Sequence, residues 1–345
     1  MSSHRLAGSG PVLVTGTPYS GTTWLGKTLS NIGRLPYFHE PFNVNSPLFG
    51  YGLGFRQQFT FVTPANEREH LDAFRRIEAL RPKLRMTGLL HDVQRFRCEF
   101  SEWRRRVRDR WEGGRSLWKD PMAVLSTGWI AARFDASVVV IARHPAAFAL
   151  AAMNRSGGRS GASGVGGILA QPLFMERYGD RYGPGLEAIG SGRLPPHVEK
   201  ATFWRVLLEV ALHETRDMED RIRLVRYEDA CEHPEAVMPR LLDDLGVDPR
   251  RDVAEVLEKS SRRHAHKRRG AFDRSASLHG WRDRFSSSEV DEIFDAAGPL
   301  ATALFDGSRC ESADDWSGRT IDARGVCGRI DEESDRALDH WASSA

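Results

Sequence analysis

The chain has 345 residues, 40% of them apolar, enough to bury the core of one large domain or two modest ones. Its 49 Lys and Arg stand against 47 Asp and Glu, a formal charge of +2, which argues against a nucleic-acid partner drawn by net charge. Four widely spaced cysteines (Cys98, Cys231, Cys310, Cys327) fit no metal-ligand pattern, and no apolar run is long enough to cross a bilayer.

Before Val12 the chain is short and polar, without a signal-peptide pattern, so a reduced, cytoplasmic protein is expected. Residues 11–15 read as a short buried strand and 22–32 as the helix that follows it. A second strand is expected just ahead of Tyr37. Asn66 and Glu69 form a capping box that opens a helix to about Leu80. Residues 103–111, rich in arginine, form a helix that ends at Gly113; its arginines could bind an anionic glycan, but the preferred reading is a solvated face, with Trp103 and Trp111 anchoring the other side. Leu117 to Pro121 ends one strand and starts a helix. Residues 137–142 (SVVVIA) make the strongest strand, with a helix over 146–155. Residues 156–197 carry many glycines and prolines and little periodicity; too long for a simple connection, they read as a functional insertion or substrate lid. A further strand covers 222–226, and Pro234 suits the first turn of a helix over 234–245. Ser286 and Glu289 open another helix to Ala296. Residues 305–345 read as a polar tail, in which Cys310 and Cys327 flank a polar loop that a disulfide could close. Strands alternating with helices imply an α/β domain, residues 1–304, with a parallel sheet flanked by helices.

The first chemically informative segment runs from Val14 to Trp24, between strand and helix. Gly16 and Gly21 have Walker-loop spacing, but Thr22 stands where the Walker lysine belongs. Backbone N–H groups at a helix N-terminus, with the hydroxyls of Thr22 and Thr23, make an anion cradle. Without the lysine, triphosphate chemistry lacks its main γ-phosphate contact.

Thr17, Pro18, Tyr19, Ser20, Gly21, Thr22, Thr23 and Trp24 resemble the 5′-phosphosulfate loop of sulfotransferases that use PAPS (3′-phosphoadenosine 5′-phosphosulfate). Tyr19 departs from the pattern, because that family carries a cation there. Ala142-Arg143-His144-Pro145 resembles the family's second motif, which implies that Arg143 holds the 3′-phosphate; the motif's serine, eight residues on, is replaced by Ala151. Leu117-Trp118-Lys119-Asp120-Pro121 resembles a Lys-Asp-Pro segment of bacterial members. Val225 to Asp229 resembles a Tyr-Glu-Asp segment, which implies that Tyr227 lies near the adenine. Residues 262–282, with Arg269 and Gly270, resemble a late basic loop that closes over the nucleotide. The resemblance runs from about residue 11 to 297 and implies a three-layer, P-loop kinase-like architecture.

Sulfuryl transfer to an alcohol needs a proton acceptor, and such a positioned base contributes about 10²–10⁴-fold. Glu40, in Tyr37-Phe38-His39-Glu40-Pro41-Phe42, lies where related enzymes place a catalytic glutamate, and its aromatic neighbours are expected to raise its pKa by desolvation. His39 is expected to point away from Glu40 along an extended segment. His91 and Lys119 are the fallback bases, and Lys119 is also a candidate to supply the charge that Tyr19 lacks. The expected donor is PAPS and the product PAP. The acceptor is a small molecule, glycan or lipid; no metal, nucleic acid or integral membrane segment is implied, and a homodimer is allowed. Two rival functions remain: a PAP-binding protein that has lost catalysis, and a small-molecule kinase using ATP.

Overall fold

The computed structural model describes residues 6–44, 55–81, 93–156, 164–267 and 278–305, and the side chains of 93–99, 156 and 261–267 are not described. Arg269, Gly270, His91, Cys310, Cys327 and residues 306–345 lie outside this set. Five parallel strands form the sheet: β1 (Val12–Gly16), β2 (Tyr37–His39), β3 (Leu117–Lys119), β4 (Ser137–Ala142) and β5 (Ile222–Arg226), in the order β2-β3-β1-β4-β5. The helices, in chain order, are α1 (Thr22–Gly33), α2 (Arg68–Glu78), α3 (Val93–Trp111), α4 (Thr127–Phe134), α5 (Pro145–Ser156), α6 (Val165–Leu169), α7 (Pro172–Ala188), α8 (Pro196–Thr215), α9 (Tyr227–Glu232), α10 (Pro234–Asp244), α11 (Val253–Lys267) and α12 (Ser287–Phe305). A 3₁₀ turn, Pro121–Ser126, follows β3.

Alternation along each strand sends side chains to two separate cores. Leu13, Phe38, Trp118, Val138 and Val140 join the core under α4, α5, α8 and α12. Val12, Val14, Tyr37, Leu117, Val139 and Ile141 join the core under α1 and α10. The result is the parallel sheet flanked by helices that the alternating elements imply, in the three layers that the family resemblance implies.

Several boundaries differ from the sequence reading. β2 occupies Tyr37–His39 instead of ending before Tyr37. Asn66 does not cap α2: its Oδ1 accepts from the Thr63 N–H (2.7 Å), closing a turn ahead of the helix. The Ser286–Glu289 box does form, with Ser286 N–H donating to Glu289 Oε2 (2.7 Å), and its helix runs on to Phe305 through a kink at Gly298. Residues 165–188 are mostly helical, with Phe174, Tyr178 and Tyr182 buried in the first core.

Candidate active site

The C-terminal ends of all five strands carry the candidate residues: the loop 17–21 after β1, Glu40 after β2, Lys119 and Asp120 at β3, Arg143 after β4 and Tyr227 after β5. Parallel register brings them level. His39 pairs with Lys119, Val14 with Lys119, Gly16 with Ile141 and Ala142 with Arg226. Ligands of open α/β sheets gather at this edge.

The loop after β1 is tightly built. Tyr19 and Gly21 take positive φ angles (65° and 83°), so the chain turns sharply into α1. A Cβ at Gly21 would collide with the Tyr227 ring, and this close packing, together with the φ, requires glycine there. Thr17 Oγ1 and Ser20 Oγ are buried and bond to each other, while Thr23 is exposed. Gly21, as the N-cap, brings no side chain to α1, and the first turn holds no acidic residue. The N-terminal N–H groups and positive dipole end of α1 therefore suit an anion.

Arg143 braces that loop. Its Nη1 donates to the Tyr19 carbonyl (2.8 Å), and its guanidinium lies 5.0 Å from the centre of the Tyr227 ring. Tyr227 is buried between Gly21 and Arg143, a support for the loop. Tyr19 itself is 46% exposed and supplies no cation. Behind Arg143, His144 stacks on Trp281 with ring centres 4.3 Å apart, which brings the 278–285 segment to the end of β4. Burial, followed by the charges of Arg282, Arg226 and Arg143, pushes His144 down to about 3. Its backbone N–H donates to Glu228 Oε1 (3.0 Å). Burial raises the Glu228 carboxyl to about 7, against that hydrogen bond and the two nearby arginines.

The other half of the row is ionic. Lys119 Nζ donates to Glu40 Oε1, with the Lys119 side chain wholly buried and that of Glu40 19% exposed. Asn43 Nδ2 donates to Glu40 Oε2 (2.6 Å), and the Glu40 N–H donates to the Lys119 carbonyl (2.7 Å). Glu40 has φ 50°, a left-handed conformation that a non-glycine residue keeps only where its surroundings fix it. This turn breaks the strand alternation. His39 therefore does not point away: its Nε2 lies 3.8 Å from Glu40 Oε1, and its Nδ1 is 3.2 Å from the Tyr37 hydroxyl. Aromatic neighbours also do not dominate the Glu40 carboxyl. Burial raises its pKa, but Lys119, Asn43 and His39 outweigh burial and hold it below the ordinary value. Lys119 is shifted down by burial, with Glu40 and Asp120 opposing.

Asp120 is fully buried. Its carboxylate accepts from the backbone N–H groups of Phe42 and Met122 (the latter 2.8 Å), so it caps the 3₁₀ turn and pins the chain after Glu40. Burial pushes it up to about 7 despite those two donors.

Two contributors escape motif reading. Gly26 of α1 faces Lys119, whose Cγ would lie 3.0 Å from a Cβ there, so glycine lets the lysine pass between α1 and β3. Lys27, exposed on α1, is close enough to depress the pKa of both His39 and Lys119. Among the described residues no group of His, Cys, Asp and Glu could hold a metal ion.

The fold defines the class: a five-stranded parallel α/β sheet flanked by helices, with a helix N-terminus after β1 and the Lys119–Glu40 ion pair at neighbouring strand ends, where ligands of open α/β sheets gather. The family is specific. Residues 11–182 match the model described as the sulfotransferase family, and the chain belongs to that family. The structure is similar to the sulfotransferase domain of the curacin biosynthetic pathway (14% identity, 84% of this chain and 96% of that one, TM-score 0.39). It is also similar to the sulfotransferase domain of the Synechococcus olefin synthase (14%, 85% and 95%, 0.39) and to a Mycobacterium tuberculosis sulfotransferase (14%, 81% and 77%, 0.38). No curated protein matches the chain.

Proposed function

We propose that the chain transfers a sulfuryl group from PAPS to a hydroxyl or amine acceptor, with Glu40 as general base. The observation that carries this reading is the Lys119–Glu40 ion pair beside the N-terminus of α1, at the strand ends of a sulfotransferase-family protein.

The donor's two anionic ends suit the residues present. The first-turn N–H groups of α1, with Ser20, Thr22 and Thr23, would hold the 5′-phosphosulfate, and Arg143 the 3′-phosphate. Pro18 and Tyr19 shape the turn, and Trp24 packs behind it against the second core. Arg269 and Gly270 remain candidates for the closing loop. PAPS supplies the sulfuryl group; the rest is done by the chain. Glu40 takes the proton of the attacking hydroxyl. Its pKa, held low, keeps it ionised at neutral pH, and each oxygen retains lone-pair capacity beyond its bond to Lys119 or Asn43. Lys119 and Asn43 orient the carboxylate, and Asp120 ties the chain after Glu40 to the turn after β3. Lys27 and Lys119 are the cations on the acceptor side that stand in for the one missing at Tyr19. The intact acid–base pair favours an active enzyme over a PAP-binding remnant.

Calorimetry with PAP, ADP and ATP, followed by incubation with labelled PAPS and candidate acceptors, tests the reading. PAP should bind well above ADP and ATP, and label should pass to an acceptor. Tighter binding of ATP would return the chain to the kinase class, and PAP binding without transfer to any acceptor to the binding-protein class.

A further inference from the structure

Helix α3 presents a face that the site does not use. It packs beside β2: Arg106 Nε donates to the Tyr37 carbonyl (2.8 Å), its guanidinium lies 4.9 Å from the centre of the Phe38 ring, and Trp103 Nε1 donates to the Leu80 carbonyl (3.1 Å). The sequence reading gave both tryptophans this anchoring role. Trp111 does not have it, because it stands 88% exposed, and Phe100 is 47% exposed. Positions 100, 104, 108 and 111 recur at helical spacing on one face, so Phe100, Arg104, Arg108 and Trp111 make a single outward stripe about 16 Å long.

The charge around that stripe is unbalanced. Arg105 and Arg108 share one buried carboxylate, Asp109 (3.7 and 3.2 Å). At the helix end, Arg34 bonds Glu112 (2.7 Å). That bond and the nearby charges of Arg34, Arg108 and Arg250 hold the Glu112 carboxyl below its ordinary value. Arg34, Arg104, Arg105, Arg108 and Arg250 thus stand against Asp109, Glu112 and Asp248. A large exposed tryptophan costs apolar hydration with no internal return. Aromatic rings flanked by arginines on the outward side of a helix match the interface of an anionic bilayer, where indole rings sit at headgroup level and each nearby arginine is attracted; the cleft at the helix end is lined by Arg34, Glu112, Arg115, Asp248 and Arg250 and holds neither Phe100 nor Trp111. A second copy docking through the same face would oppose arginine to arginine, which disfavours self-association there.

We propose that the outer face of α3 docks the protein on an anionic lipid surface, with Trp111 and Phe100 entering the headgroup layer and Arg104, Arg105 and Arg108 meeting lipid phosphate and carboxylate groups. Arg106 reaches the first residue of β2, and the Trp111 end of α3 lies farther on, by Arg34 and the turn ahead of β2, so the docked face runs along the flank of the sheet with Trp111 at the edge opposite Glu40.

Co-sedimentation of the full chain with vesicles tests this. Vesicles of phosphatidylcholine with about 30% phosphatidylserine should bind the protein at least tenfold better than pure phosphatidylcholine, and raised salt should weaken the binding. Arg104→Ser with Arg108→Ser should lower partitioning about thirtyfold, the equivalent of roughly 1 kcal/mol for each charge. Trp111→Ser should lower it further, and its fluorescence contribution should lose the blue shift that vesicles induce. Arg104 and Trp111 are exposed, and Arg105 still pairs with Asp109 when Arg108 is replaced, so melting temperatures should fall by a few degrees at most, and loss of binding in a folded variant supports the proposal. Equal binding to both vesicle types, no binding to either, or variants that bind like the wild type would overturn it. So would a concentration-dependent dimer that Trp111→Ser abolishes without any vesicle binding by the wild type.

Discussion

The two halves of the strand-end row are built by different physics. On the β2–β3 side, Lys119 pairs with Glu40 and helps hold its carboxyl low, beside Asp120, which burial raises to about 7. On the β1–β4–β5 side the loop is shaped by backbone turns, by Tyr227 packed on Gly21, and by Arg143 reaching one carbonyl. The first half holds the Glu40 carboxyl ionised, as the proposed general base requires. The second leaves the first-turn N–H groups of α1 without a capping side chain, as the proposed phosphosulfate site requires. A change in the first should therefore alter turnover and its pH dependence, and a change in the second should alter nucleotide affinity.

The largest expected effect comes from Glu40→Gln, which keeps shape and the left-handed turn but removes basicity. Turnover should fall by roughly 10²–10⁴ while PAP affinity stays near wild type. Near-normal turnover would place the base elsewhere, with His39 the nearest substitute at 3.8 Å. Arg143→Ala should do the reverse, weakening PAP binding by roughly ten- to a hundredfold, since hydrogen bonds to charged groups contribute about 1.5–3 kcal/mol. Calorimetry on a folded variant reads this directly, and an unchanged affinity would remove Arg143 from the donor side.

Lys119→Met sharpens the contrast. It should lower turnover about tenfold or more, and it should also move the acid limb of the pH–rate profile. With Lys119 present, the Glu40 carboxyl titrates below its ordinary value, so wild-type activity should hold until pH falls under the usual carboxylate range. Without the lysine, burial dominates and the limb should shift to higher pH. A limb that stays put would show that Lys119 does not set the ionisation of Glu40.

Much of this contrast is legible in the sequence, though not its geometry. β4 and β5 match their predicted spans because buried β-branched runs signal strands strongly. Three-residue strands such as β2 and β3 are too short to show a period, and turn chemistry alone locates them. α8 gives no amphipathic pattern because nearly every position is buried, and α7 is masked by Pro184 and by four glycines or prolines close together. Glu40 and Lys119 stand out separately by motif. Their bond cannot be read 79 residues apart, because it depends on the β2–β3 register, and the left-handed turn that brings His39 toward Glu40 has no sequence signal.

The smallest predicted effect lies behind the donor half, at Glu228, and it concerns stability. The carboxyl has an ordinary value of 4.5 and is raised to about 7 in the fold, chiefly by burial. Between those values the folded chain keeps a proton that the unfolded chain has released. Stability should therefore fall as pH rises from about 4.5 through 7, and it should stay lower above that. Glu228→Gln removes the titrating group and can still accept the His144 N–H at its amide oxygen. Melting curves from pH 4.5 to 8 should show this variant close to wild type at the acid end and more stable at the alkaline end, by on the order of 1–3 kcal/mol. Nucleotide affinity should change little, because the Glu228 side chain is buried and its hydrogen bond goes to the His144 backbone N–H. If the variant is instead less stable at pH 8, the attraction of Arg143 and Arg226 outweighs burial, and the ionised carboxylate is a structural partner that holds Arg143 in place for the donor.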